Sequence, residues 1–177
     1  IEAMTSGGFK KRGVVFAPKD AIEEDPVILK YLRSYPDKII ILKEGGEYEL
    51  EGVTVSTPVR HVHGSVETYG LNFFTSKCAV SYLSDTRFFS ALTEHYRGDV
   101  LILNVVRLEP SDLDHLSAED ARKIIATVRP KLAVLTHFGM TMIKAKPWEV
   151  ASRIEEETGV ETIAARDGMT LKLDEWV

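Results

Sequence analysis

Cysteine is almost missing from this chain of 177 residues, with Cys78 standing alone. One thiol makes no internal disulfide and supplies no multi-cysteine zinc cluster, so neither staples the fold. Long apolar runs are also lacking: none approaches the ~20 residues of a membrane span, and the first residues carry no secretion signal. Positive charge is not in excess, since 22 Lys and Arg face 27 Asp and Glu for a net charge of −5. That balance argues against a protein that grips a phosphate backbone by bulk electrostatics. There are no fixed-period repeats, low-complexity tracts or Pro/Gly/Ser linkers, so a single domain over residues 1–177 is expected. The expectation is a soluble, cytoplasmic protein.

What is present is a change of period along the chain. Ile1, Glu2, Ala3 and Met4 read as the tail of a helix already under way, closed by Gly7 and Gly8, which implies that the chain lacks its beginning. Residues 13–17 read as a short buried strand. Asp25 as N-cap and Pro26 at the first helical position would open a helix carrying Ile28, Leu29 and Leu32 on one face, with Pro36 ending it. From Ile39 the period is two: 39–42, a turn at Glu44-Gly45-Gly46, 48–50, then Val53, Val55 and Thr57, which predicts an antiparallel meander. Residues 71–74 and 79–83 flank Thr75-Ser76-Lys77 as a hairpin, and a helix is expected over 88–96.

Strands and helices then alternate: strand 100–106, helix 118–128, strand 132–135, helix 148–157, and a closing hairpin turned by Asp167-Gly168. Ser117 and Asp120 form a capping-box pair, Pro147 suits the first turn of the last helix with Trp148 read as its anchor to the core in preference to a substrate platform, and Gly159 ends it. Ala121, Ile124, Ile125 and Val128 make a single apolar stripe, so that helix packs on a sheet with one face and shows water the other.

Of five histidines, His95 falls inside the expected helix 88–96 and reads as a surface residue, whereas His61, His63, His115 and His137 stand where apolar runs end in loops. His61 and His63, two apart, point the same way if the strand continues through them, as two ligands of one site would, or as a solvated edge would. Asp85 leaves the carboxyl end of strand 79–83, where sites are commonly built, and is equally placed to cap the following helix. His137 follows the buried run 132–136 in the same way.

The order His-Gly-x-Val-Glu-x-aromatic-Gly, strand-Ser-Asp-Thr, strand-Leu-Thr-His-Phe, running from about Val53 to Met140, resembles the later ligand motifs of the metallo-β-lactamase fold hydrolases, in particular the tRNase Z and phosphodiesterase branch. The resemblance implies a mixed α/β fold, an αββα four-layer sandwich incomplete at its N-terminus, of which this chain is the C-terminal two-thirds or more. It implies His63, Asp85 and His137 as metal ligands, with Asp85 bridging two ions, and His115 as a proton donor or phosphate-holding group, so that His115 and Asp85 carry the catalysis. Relatives have one residue fewer between this histidine and the aromatic-Gly pair; the extra Ser65 leaves His61 as a substitute for His63. The family signature His-x-His-x-Asp-His does not occur in the sequence.

Imidazole and carboxylate donors suit two zinc ions, with manganese or iron admissible. The expected activity is metal-dependent hydrolysis of a phosphodiester or other small ester by activated water, in the complete protein, with little or none from these 177 residues alone. Nucleic acid is admissible and not favoured, because the chain is acidic and has no basic protruding arm. Lys144, Lys146 and Arg107 lie near the site-forming loops and could hold a phosphate, though solvated surface is the plainer reading. A homo-oligomer is a further expectation. The alternative function is a non-catalytic half-domain or interaction subunit that needs a partner carrying the missing ligands.

Overall fold

Three strands, apolar at nearly every position, build the centre of the molecule: Ala79–Leu83 (β8), half-buried at three of its five residues, and the largely buried Val100–Asn104 (β9) and Leu132–Thr136 (β10). The computed structural model describes residues 1–23 and 27–176. These strands run parallel and in register, with Leu83 opposite Leu103 and Asn104 opposite Thr136. Parallel pairing requires crossovers, supplied by helices Ala91–His95 (α2), Ala118–Val128 (α3) and, leading to Thr162–Ala164 (β11), Pro147–Thr158 (α5). On the other side of β8 the sheet turns antiparallel through Leu71–Phe74 (β7), Val53–Thr57 (β4) and Gly46–Leu50 (β3). The full order is β11-β10-β9-β8-β7-β4-β3. Outer strand β3 alternates half-buried and exposed residues, as a strand with one wet face does.

The helices lie on one face of this sheet, where Leu83, Leu101, Leu103 and Leu135 meet Leu92, Ile124, Ile125 and Ile154 in the main core. Burying each such side chain is worth about 1.5–3 kcal/mol. A smaller cluster of Val100, Leu132 and Val134 forms separately, with Leu171 and Trp176 packed against it. The opening of α3 follows the sequence closely: the Ser117 hydroxyl accepts from the Asp120 N–H at 3.2 Å and the Asp120 carboxylate accepts from the Ser117 N–H at 3.0 Å. Loop 105–117 is pinched at its base, where Arg107 and Ser117 form a parallel bridge.

Several expectations change. Lys38–Ile41 (β2) does not start the meander; it pairs in parallel with Val14–Ala17 (β1) in a separate two-stranded sheet, since an apolar period-two run is equally suited to either partner. The expected cap Asp25-Pro26 lies outside the described residues, and the segment after it forms only a 3₁₀ turn at Lys30–Ser34. The N-terminal fragment is one short turn, Glu2–Thr5 (α1). Helix 88–96 shrinks to α2, which begins at Ala91, five residues beyond the last place Asp85 could cap it. A one-turn helix at Met140–Lys144 (α4), unforeseen in the sequence, is pinned by the fully buried Met142. The Asp167-Gly168 turn forms, but among the described residues no second strand follows it; the chain continues instead to a 3₁₀ turn at Leu173–Trp176. Trp148 is not an anchor to the core: it is 62 % exposed, and the buried Pro147, Val150, Ala151 and Ile154 hold α5 instead.

Candidate functional site

The carboxyl ends of β8, β9 and β10 share one rim because the strands are parallel and in register. Asp85 comes two residues after β8 ends, Asn104 closes β9, and His137 follows β10 at once. His137 sits at φ +57°, a left-handed conformation that L residues rarely adopt. Gly139 lies so close to the neighbouring loop that a Cβ there would meet the Val106 carbonyl oxygen at 2.6 Å. Glycine therefore lets the His137 loop dock against the end of β9, and the Gly139 N–H donates to that same oxygen at 3.1 Å.

Asp85 is the hub. His137 Nε2 is 3.5 Å from one of its carboxylate oxygens, and His115 Nδ1 is 3.8 Å from the other. That second oxygen also accepts from Asn104 Nδ2 at 2.9 Å, and Asn104 Oδ1 in turn accepts from the Tyr82 hydroxyl at 3.2 Å. His115 Nδ1 is buried without a hydrogen-bond partner among the described residues. His63 adjoins His115, with ring centroids 4.9 Å apart. Its Nδ1 donates to the Asp114 carbonyl oxygen at 3.1 Å, which leaves Nε2 as the free donor atom. The Asp114 carboxylate holds the same loop by accepting from the Gly64 N–H at 2.7 Å and from Arg87 Nε at 2.6 Å. The Gly64 N–H first, then the Arg87 guanidinium, hold the Asp114 carboxyl below the usual carboxylate range.

His61 does not join this group. Strand Arg60–His61 (β5), paired with Thr68–Tyr69 (β6), ends before His63, so the two imidazoles no longer share an alternating face. The Ser84 hydroxyl donates to the Tyr69 carbonyl and so accepts from His61 Nδ1 at 3.0 Å; His61 Nε2 then accepts from the Tyr96 hydroxyl at 3.0 Å. Burial lowers the His61 pKa to about 4, even with Asp85 nearby acting to raise it. Both ring nitrogens are engaged, which sets His61 apart from His63 in this structure. His95 is exposed on α2.

The donors fit a metal in part. An N···O separation of 3.5 Å between His137 and Asp85 is long for a hydrogen bond, and it matches the edge of a tetrahedron whose ligands stand at about 2.1 Å, which is about 3.4 Å. The unpartnered His115 nitrogen lies against the same carboxylate. Yet among the described residues no three His, Cys, Asp or Glu side chains converge closely enough to hold an ion by themselves. Sequence reasoning missed Asn104, Arg87 and the orienting part of Asp114. Only the first left a signal: an amide at the carboxyl end of a buried strand beside the one that leads to Asp85.

The family described as the beta-lactamase superfamily domain matches residues 4–138. Across 181 aligned residues the chain is 32% identical to the uncharacterized protein MJ1374 of Methanocaldococcus jannaschii, covering 98% of this chain and 67% of that one. This chain therefore belongs to the beta-lactamase superfamily, and its fold is the metallo-beta-lactamase fold. The fold is shared with YhfI of Bacillus subtilis, a metallo-beta-lactamase fold protein, at a TM-score of 0.78 and 15% identity over 95% of this chain and 68% of that one. A diphosphatase of the PhnP family is similar at a TM-score of 0.68 and 21% identity, over 97% of this chain and 62% of the other. The chain thus spans about two-thirds of the length of the proteins it matches. No helix among the described residues is long and apolar enough to cross a membrane.

Proposed function

We propose that the complete protein is a metal-dependent hydrolase acting on a phosphodiester or other small ester in the cytoplasm, and that His63, Asp85 and His137 are its ligands in this chain. The observation that carries the reading is the Asp85 carboxylate, with His137 Nε2 at 3.5 Å from one oxygen and the unpartnered His115 Nδ1 at 3.8 Å from the other. Two zinc ions are the proposed occupants, with manganese or iron admissible for the same donors; when bound, such ions make water a nucleophile near neutral pH and polarise the ester. Asp85 turns one carboxylate oxygen to His137 and the other to His115, whose ring adjoins that of His63, and on this reading it serves both metal positions. Asn104 and Tyr82 keep its carboxylate oriented, and the Asp114 carbonyl keeps His63 in the tautomer that presents Nε2. His115 can steady a phosphoryl oxygen or deliver a proton to the leaving oxygen, being half-buried at the rim. Membership of the superfamily and the PhnP-family diphosphatase among the similar structures support this choice of chemistry. A small substrate, and a homo-oligomeric state, belong to the same proposal.

A second reading is favoured by one observation: among the described residues no three ligating side chains converge. On that reading these residues are a half-site whose remaining ligands come from elsewhere, and alone they are inactive. Metal content and hydrolysis of bis(p-nitrophenyl) phosphate separate the readings. On the first reading a chain extended to carry a His-x-His-x-Asp-His run should hold close to two metal ions and turn over the reporter by itself; on the second it should do so only with a partner protein added, and on either reading these 177 residues alone hold markedly fewer. An extended chain without metal would remove the hydrolase reading.

A further inference from the structure

A polar pocket beside the Asp85–His137 pair continues into an apolar groove. The pocket, about 470 Å³, is lined by Tyr82, Asn104, His137 and Arg166 among others. The groove, about 600 Å³, runs between α5 and β11 past Pro147, Trp148, Ile163 and Met169. Phe138, Ile143, Ala165 and Arg166 line both, so the two form one channel that starts at the candidate site. Each volume is that of an ordinary small-molecule site.

The walls of this channel are unusual for surface. Trp148 is 62 % exposed, Ile143 51 % and Met169 37 %, three large apolar side chains left to water around one concavity. Scattered singly such residues need no explanation; gathered along a groove that opens on a reactive rim they mark a binding surface. At the junction Arg166 is exposed, and among the described residues its side chain makes no ion pair. A guanidinium suits two oxygens of a phosphoryl group better than any neutral ligand. Glu155, the acidic residue on the groove wall, is already occupied as acceptor for the Thr162 N–H at 3.3 Å. Asp167 stands at the pocket end, beside Arg166.

We propose that this channel binds the substrate and selects a phosphoester with one bulky aromatic or aliphatic substituent: the phosphoryl oxygens face Arg166 beside His137, and the substituent lies along Phe138, Ile143 and Trp148. The position of the reacting ester rests on the hydrolase reading above, whereas the preference for an anion with an apolar tail rests on the groove alone.

The test titrates the extended chain, and the 177-residue chain beside it, with methylphosphonate and with 4-phenylbutylphosphonate, read by calorimetry and by tryptophan fluorescence. A preference present in the short chain and lost in the extended one would give the groove to the preceding segment and overturn the proposal. The phenylbutyl probe should bind at least about tenfold more tightly. Trp148→Ala and Ile143→Ser should each erase most of that preference, and Arg166→Gln should weaken both probes. Both apolar positions are half exposed or more, so both variants should fold, which circular dichroism checks. Equal affinity for the two probes, or a preference that survives both apolar variants, would overturn the proposal. So would self-association abolished by Trp148→Ala without any probe preference, which would give the groove to a second copy of the chain. A phenylbutyl preference with no phosphodiester hydrolysis by the metal-loaded extended chain would remove the hydrolase reading and leave the groove assigned. Hydrolysis with no dependence on substituent size would do the reverse.

Discussion

His63 Nδ1 and the carbonyl oxygen of Asp114 are 3.1 Å apart, and because a carbonyl only accepts, the ring must donate from that nitrogen. The side chain of the same aspartate then fastens the loop by its bonds to Gly64 and Arg87. Asp114→Ala keeps the carbonyl but frees the loop. Metal affinity in the extended chain should fall about 10–100-fold, measured by competition with a chelator at fixed pH. An unchanged affinity would show that His63 is held without it.

His61 and His63 should separate cleanly. His61→Leu takes one hydrogen-bond partner each from Ser84 and from the buried Tyr96 and should cost about 1–3 kcal/mol in urea unfolding, with bound metal per chain unchanged. His63→Gln should do the opposite, moving stability of the metal-free protein by less than about 1 kcal/mol while lowering metal content. Loss of metal on replacing His61 would restore it as a ligand.

The left-handed backbone at His137 makes a third prediction, on metal-free protein. His137→Val places a β-branched side chain at φ +57° and should be less stable than His137→Gly by about 1–2 kcal/mol. Equal denaturation midpoints would mean that the turn relaxes on substitution.

At the other end of the sheet, Asp99 accepts from the Ala79 N–H at 2.9 Å and pairs with Lys131 at 3.4 Å, joining β8 and β10 to the start of β9. The Ala79 N–H, with Lys131 adding to it, lowers the Asp99 pKa. The charged form is thus favoured by folding: its contribution is present above the unfolded value of about 3.9 and is lost as pH falls through the folded one. Asp99→Asn should cost about 1 kcal/mol at pH 7, and the gap from the parent should narrow below about pH 4. A gap that is constant with pH would assign the effect to shape rather than charge.

What could be read from residues alone depended on whether the signal was local. The capping box of α3 and the closing Gly159 of α5 are written within a few positions, and α3 begins and α5 ends where those residues say. Asp85 and His137 were legible as strand-end residues because 79–83 and 132–136 are apolar runs that stop abruptly; that they meet depends on the register of β8, β9 and β10, which no local pattern encodes. The partner of β2 was illegible for the same reason. The parity argument for His61 and His63 failed because β5 ends between them. Trp148 misled because one helical turn after a proline looks alike whether its aromatic residue faces the core or a groove.

The bridge between Arg107 and Ser117 ties the neck of the loop that carries His115, with the Arg107 N–H donating to Leu116 and its carbonyl accepting from Ala118. Residues 109–113 are exposed beyond that clasp, so lengthening or shortening them disturbs neither the end of β9 nor the first turn of α3. Evolution can therefore trial new rims over an unaltered chassis, and divergence among homologues should concentrate in that short span while the clasp itself stays put.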